Sequence, residues 1–349
     1  MGYQKRLGND ITMNKLKNIL IIYCLLFSCS ILKLSAQQNV QFSQYIFNGI
    51  AINPAYAGYK EDWYVNATYR QQWTSFPGAP ASATISADGI AGTTNKNKAV
   101  AIQAIWDKLG AQENLAVYGT YAYRIQLDDA DTKRLTFGLS LGLHQYAING
   151  SLFVYNEEND PNIPVNRIST IKPDARFGIY YNSSKFFVGL SFMEMLSGEN
   201  QSKVYFGNGI QFANLKRTPH LYFTVGGIKN ISESLIIKPS VLIKEDFNGP
   251  TSIDLNCMAL LSKTVWVGAS YRTAFNFWNK PALQEGLSKR GAVAGIIELF
   301  TGNNMRIGYS YDYIVSGLNN YQGGSHEISI GFLIPKKFDG QNIKSPRYF

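Results

Sequence analysis

QFSQYIFNGIAINPAYAGYKEDWYVNATYRQQW, residues 41–73, changes its period half-way along. In the first half Phe42, Tyr45, Ile46, Phe47 and Ile50 recur at three- and four-residue steps, which predicts a short amphipathic turn of helix over Ser43–Gly49. Asn53-Pro54 then imposes an extended step or a turn, and Ala57-Gly58 releases the chain from it. From Trp63 the period is two. Trp63, Val65, Ala67, Tyr69 and Gln71 share one side, and Tyr64, Asn66, Thr68, Arg70 and Gln72 share the other, which is a strand with an apolar and a polar face. The predicted plan is a compact apolar plug over residues 37–61 followed at once by a sheet that begins at residue 62.

The same alternation recurs along the chain. Candidate strands lie near 62–73, 81–88, 99–107, 114–127, 134–148, 173–182, 185–194, 219–228, 235–244, 251–262, 264–273, 292–300, 305–314 and 324–333, fourteen in all. In the fifth, Leu135, Phe137, Leu139, Leu141 and Leu143 alternate with Thr136, Gly138, Ser140, Gly142 and His144. In the thirteenth, Ile307, Tyr309, Tyr311 and Tyr313 oppose Arg306, Ser310 and Asp312. Strands of about ten residues suit a tilted crossing of a bilayer. Pro239 lies inside the ninth and cannot donate to a ladder, so a bulge or strand end is expected there.

Composition agrees with an exported β protein. Of 349 residues 45% are apolar, 13% are aromatic and only 16% are charged, well below the usual quarter. Residues 13–36 read as a secretory signal: Lys15 and Lys17 open it, Ile19–Phe27 form its apolar core, and Leu34-Ser35-Ala36 end it. Lys33 cuts the apolar run before it could span a bilayer, and Leu26-Phe27-Ser28-Cys29 loosely resembles a lipobox. Removing residues 1–36 takes the net charge from +9 to +5, with 28 basic against 23 acidic residues. No basic cluster is interleaved with aromatics, so no nucleic-acid partner is expected. Cys24 and Cys29 leave with the signal, and Cys257 alone cannot form an intramolecular disulfide.

Alternation by itself also fits a soluble sandwich, whose apolar face turns inward. Three features favour an up-and-down transmembrane barrel with the apolar face outside. Aromatics gather toward strand ends (Tyr69, Trp73, Tyr121, Tyr123, Tyr181, Tyr271, Tyr311, Tyr313), as interfacial girdles do. The polar face carries both signs of charge: Arg70, Arg124, Arg176, Lys238, Asp254, Arg272, Glu298, Arg306, Asp312 and Glu327, a set suited to a lumen. The connections also alternate, long at 149–172, 195–218, 274–291 and 315–323 and short at 183–184, 229–234, 263 and 301–304. Outer-membrane barrels have long external loops and tight periplasmic turns. The expected layout is a signal at 1–36, the plug at 37–61, the barrel at 62–333 and a basic tail at 334–349 facing the periplasm.

The run FSQYIFN, then NPAYAG, then a strand with YRQQW and a GAP turn resembles the amino terminus of the PorP/SprF family, outer-membrane barrel proteins associated with type IX secretion. The ending YDYIVSGLNNYQGGSHEISIGF, Tyr311 to Phe332, looks like the same family's last hairpin. Carried onto this chain, the resemblance makes Phe42, Ser43, Gln44, Tyr45, Asn53, Pro54, Tyr56 and Gly58 the family signature. It implies residence in outer-membrane lipid, contact with periplasmic members of the machine, a link to gliding motility, and export or attachment of an adhesin through that client's carboxy-terminal domain. From the residues alone, Phe42, Tyr45, Phe47 and Tyr56 read as packing groups of a plug, and Pro54 and Gly58 as turn formers. Arg70 is expected to pair with a lumen acid or with plug carbonyls.

Chemistry is sparse. Gly138-Leu-Ser140-Leu-Gly142 fits G-x-S-x-G, yet that elbow needs a strand-to-helix turn and this one lies inside an alternating strand. His144, His220 and His326 are far apart and lack zinc-site spacing. No Walker loop is present, and the acids at Asn156–Asp160 lack the Gly-and-Glu spacing of an EF-hand. Neither cofactor nor metal is expected. The leading expectation is a non-enzymatic secretion and anchoring component. Its rival is a plugged pore or transporter for small polar solutes.

Overall fold

A strand that is apolar on one side and polar on the other must pair with neighbours patterned alike, and a closed ring leaves no edge behind. The computed structural model describes residues 40–92, 95–153, 166–197, 203–205, 211–214, 218–247, 249–275, 277, 280, 290–301, 304–315 and 317–335. It is a closed antiparallel barrel. Its strands are β1 (Trp63–Gln71), β2 (Ala81–Ile90), β3 (Lys98–Leu109), β4 (Gln112–Gln126), β5 (Arg134–Asn149), β6 (Arg167–Asn182) and β7 (Phe186–Met193). Next come β8 (His220–Gly227, continued by Lys229–Ser232), β9 (Leu235–Glu245), β10 (Thr251–Leu261), β11 (Val265–Phe275), β12 (Arg290–Thr301), β13 (Met305–Ile314) and β14 (Ser325–Ile334). Sequential strands pair throughout, and β1 closes on β14 from Trp63↔Ile334 to Gln71↔His326. A two-stranded hairpin, Lys203–Tyr205 with Gln211–Asn214, sits in the β7–β8 connection.

Every expected strand is present, with three differences. β1 stops at Gln71, because Trp73 takes a left-handed φ of 46° and turns the chain. β6 begins at Arg167 rather than 173 and pairs with β5 up to Asn149↔Arg167, so the connection there shrinks to 150–166. Pro239 causes neither a bulge nor a strand end in β9, whose register with β10 is continuous through Pro239↔Cys257. The break falls on the neighbour instead. β8 pairs with β9 as Gly226↔Ser240 and again as Lys229↔Ile237, and the two positions between carry no pairing. The amide of Ile228 donates to the Lys185 carbonyl, 2.7 Å away.

The two faces part as the alternation requires. Ile85, Ile102, Leu139, Leu141, Leu143 and Ile328 point outward and are exposed, and so do Tyr69, Tyr121, Tyr123, Tyr271, Tyr311 and Tyr313 near strand ends. Inward positions are buried and mostly polar. Among the described residues no helix is long and apolar enough to cross a membrane. One rim carries the short turns 183–185, 233–234, 262–264 and 302–304 together with the start of β1 and the end of β14. The other carries the long connections 150–166, 194–219, 276–289 and 315–324. The interior is a filled core.

Candidate functional site: the plugged lumen

Residues 42–61 lie in the lumen ahead of β1, almost all of them buried. Where one amphipathic turn was expected, the chain makes three single 3-10 turns, Tyr45–Phe47, Gly49–Ala51 and Asn53-capped Pro54–Tyr56. Turns this short keep the backbone narrow enough to thread a barrel. Asn53 caps the third turn by accepting from the Ala55 amide at 2.8 Å, and Pro54 suits its first position. Gly58 ends it at φ 70°, its amide donating to Asp88 Oδ2 at 2.8 Å. A side chain at Gly58 would also strike Ala99 and Ile90.

The plug's apolar residues form two cores with inward wall residues. Tyr45, Ile46 and Phe47 pack with Tyr222, Leu242, Met258, Leu260 and Trp266. Ile50, Ala55, Tyr56, Ala57 and Tyr59 pack with Ile90, Ala99, Ala122, Tyr180 and Phe187. Tyr59 stacks on Tyr56 at 4.9 Å, and both meet Tyr180 edge-on. Burial pushes the Tyr45 and Tyr56 phenols up. Burial, then the positive charge of Arg306, pulls the Lys60 ammonium down to about 8. Phe42 is buried as well, outside these two cores.

One wall holds the plug by charge. The two oxygens of Glu327 accept the backbone amides of Ser43 and Gln44, each at 2.8 Å. Ser43 Oγ donates to Asp312 at 2.7 Å and accepts from Arg70 Nη1 at 3.0 Å. Arg70 bridges the acids, 2.7 Å from Asp312 and 3.0 Å from Glu327. Gln44 donates to the Glu327 carbonyl at 3.1 Å and accepts from Ser329 Oγ at 2.6 Å. Arg272 extends the chain of charges, 3.8 Å from Asp312 and 2.8 Å from Asp254, which also takes Lys244 at 2.9 Å. Lys244, Asp254, Arg272, Asp312, Arg70 and Glu327 thus alternate in sign and sum to zero. That neutrality is what makes so many buried charges tolerable.

The opposite wall holds the plug by shape. A Cβ on Gly138 would come within 2.4 Å of the Ala55 nitrogen, and one on Gly178 within 2.0 Å of Asn53 Oδ1. These glycines face each other across β5 and β6 as Gly138↔Gly178. Asn53 Nδ2 donates to the carbonyls of Ile179 and Leu190 at 3.1 and 3.3 Å, so Asn53-Pro54-Ala55 lies flat on bare backbone. The G-x-S-x-G match acquires its meaning here. Gly138 clears space for the plug, and Ser140 hydrogen-bonds Thr120 at 2.6 Å inside the strand pair.

The remaining sequence-predicted residues sit apart from this network. Arg124 is buried near the short-turn rim, 3.7 Å from Glu61, which also pairs with Lys96 at 2.7 Å. Arg176 lies over the Tyr118 ring at 3.4 Å and donates to Gln103 at 3.0 Å. Tyr118 donates to Asp174 at 2.6 Å and contacts His144 Nε2. Arg306 binds Glu298 at 2.5 Å and Tyr64 at 2.9 Å under Phe47. Lys238 lies 5.4 Å from the Phe47 ring centre, beside a small gap of ≈ 20 Å³ that Tyr45, Tyr56, Tyr180 and Ser240 help to line. The acids at Asn156–Asp160, the signal at 1–36 and nearly all of the tail lie outside the described residues. Among the described residues no group of three or more His, Cys, Asp or Glu could hold a metal ion.

Sequence reasoning missed the paired glycines, Asp88 under Gly58 and the Tyr118–His144–Asp174 cluster. One signal was available: glycine at inward strand positions marks close approach of another backbone.

With the signature segment seated inside the barrel, the comparison with protein families becomes specific. A family model described as type IX secretion system membrane protein PorP/SprF matches residues 34–332. The chain belongs to this family. Solved structures similar to this PorP/SprF chain are outer-membrane barrels of low sequence identity. Omp33 of Acinetobacter baumannii has 9% identity and a TM-score of 0.40, covering 78% of this chain and 98% of that one. The toluene transporter TbuX of Ralstonia pickettii has 11% identity and a TM-score of 0.45, covering 81% and 91%. BamA from Haemophilus ducreyi lacking POTRA domains 1–3 has 9% identity and a TM-score of 0.41, covering 78% and 70%. No curated protein sequence matches the chain.

Proposed function

We propose that this outer-membrane PorP/SprF barrel is a non-enzymatic docking body of the type IX machine. In this reading residues 1–36 direct export and are removed, residues 37–61 plug the barrel formed by 62–333, and the 334–349 tail lies in the periplasm. The short-turn rim faces the periplasmic components, and the long-loop rim faces outward. The work is binding: supporting export or surface attachment of an adhesin through its carboxy-terminal domain.

The observation that carries the reading is how the plug is fastened. Its amides occupy both oxygens of Glu327, its serine bridges Asp312 and Arg70, and its Asn53-Pro54-Ala55 step lies flat on glycine. Withdrawing it would leave a buried carboxylate and guanidinium short of partners, at a cost of several kcal/mol. A lumen closed that firmly suits a scaffold better than a solute path.

The test is a deletion strain. A client adhesin retained in the periplasm, together with co-purification of the intact protein with an envelope complex, is the expected result. Ohmic conductance of the intact chain in planar bilayers, with normal client display in the deletion strain, would establish the pore reading instead.

A further inference from the structure

The plug has a direction. Ser43 and Gln44 are fastened to Arg70, Asp312 and Glu327, each within two residues of the long-loop end of its strand. Tyr45 meets Asn256 half-way along β10. Residues 46–56 then occupy the half nearer the short turns, on Lys238, Trp266, Gly138 and Gly178. Gly58 donates to Asp88 two residues from the end of β2, and Glu61 pairs with Lys96 in the β2–β3 turn. The segment therefore passes once through the barrel, its amino end at the long loops and its carboxyl end at the start of β1. Residues 42–50 and 53–59 are buried throughout, whereas Val40 and Gln41 are only half-buried, as fits arrival at a mouth.

The lumen accommodates one such pass. The plug fills both apolar cores and one end of the charged network, and the gap beside Lys238, ≈ 20 Å³, has room for about one water. That constrains what can precede Val40. While the apolar core of the signal, Ile19–Phe27, is held in the inner membrane, the chain would have to return from the external mouth to the periplasm. Outside the wall that path is hydrocarbon, where unpaired backbone groups are costly, and inside the wall it is filled. Residues 28–39, the twelve between that core and Val40, reach at most about 40 Å when fully extended. One return across an apolar band of about 25 Å would use more than half of that.

We infer that the plug is seated amino end outermost, so that the mature chain begins at the external mouth and the barrel closes on its plug only after the signal has been cut away. The reaction that must come first is hydrolysis of the peptide bond after residue 36. One water is consumed, Ala36 leaves with a carboxylate, Gln37 gains a free amine, and no other reactant is needed. The inference rests on the docking reading for which rim lies outside the cell, and it adds an order of events to that reading.

The test labels single cysteines in cells, in the full-length chain carrying Cys257→Ala. Val40→Cys is expected to react with a membrane-impermeant maleimide in intact cells, as should Tyr321→Cys in the long β13–β14 connection. Glu233→Cys, in a short turn, should react only after permeabilisation. If Tyr321→Cys reacts in intact cells and Val40→Cys does not, the direction of the plug is refuted and the docking reading stands. If Glu233→Cys reacts in intact cells and Tyr321→Cys does not, the assignment of the rims fails and this inference falls with it. The order of events is tested with Ala36→Phe, which removes the small residue that cleavage needs. This precursor should lack the heat-modifiable gel band of a closed barrel in cells, yet show it after refolding into detergent micelles, where no inner membrane holds the signal. An uncleaved precursor that shows the band in cells, or one that fails to show it in micelles, overturns the order.

Discussion

The plug touches two walls that hold it by different physics. On the β1–β13–β14 side, Ser43 and Gln44 are fixed by Arg70, Asp312 and Glu327, so the contact is electrostatic and directional. On the β5–β6 side, Asn53-Pro54-Ala55 is fixed by the absence of side chains at Gly138 and Gly178. Charge sets the register of the segment, and vacancy sets its depth. A charged grip can be weakened in steps. A steric seat works or fails.

That contrast can be broken from either side. The largest effect is expected from Gly178→Val. Its Cβ alone would overlap Asn53 Oδ1, and because the obstacle is a bound plug, a loss of at least about 3 kcal/mol is expected. The readout is loss of the heat-modifiable band, or protease access to residues 40–61. Next comes Arg70→Ala, which strands two buried acids and should cost about 3–5 kcal/mol. A loss below about 1 kcal/mol would mean that charge is incidental. Ser43→Ala removes one hydroxyl and should cost about 1–2 kcal/mol, leaving the Glu327 contacts in place. The smallest effect concerns Lys60. With its folded pKa lowered to about 8, the unfolded chain holds the extra proton between about pH 8 and 10.4, so stability should rise with pH across that window. Lys60→Met should flatten the rise in the unfolding temperature followed on gels.

The sequence disclosed the ring better than its contents. Period-two runs such as Leu135–His144 reveal a strand because one face meets lipid and the other does not. Where that contrast disappears, so does the signal. Arg167–Lys172 reads RISTIK because both faces of the projecting part of β6 are exposed or partly so, and the alternation there starts only at 173. Arg70, Arg272, Asp312 and Glu327 were legible as inward charges, and the structure gathers all four into one network, whereas Arg124 and Arg176 lie in separate clusters. Which charge meets which could not be read, since Ser43 and its acceptors are more than 260 residues apart. The plug itself was visible through Asn53-Pro54 and its apolar spacing, but three tight turns share that spacing with one helical turn.

The hydrogen bonds from Ser43 and Gln44 to Glu327 join the plug to the last strand, which the ribosome makes nearly three hundred residues later. Until the final hairpin arrives, the early segment has nowhere to place its amides. A ring shut one residue out of step would turn Ile328 inward and carry the carboxylate into lipid. Completion of the barrel is thus proofread by its own beginning, and a chain truncated before residue 327 would lack the means to certify itself finished.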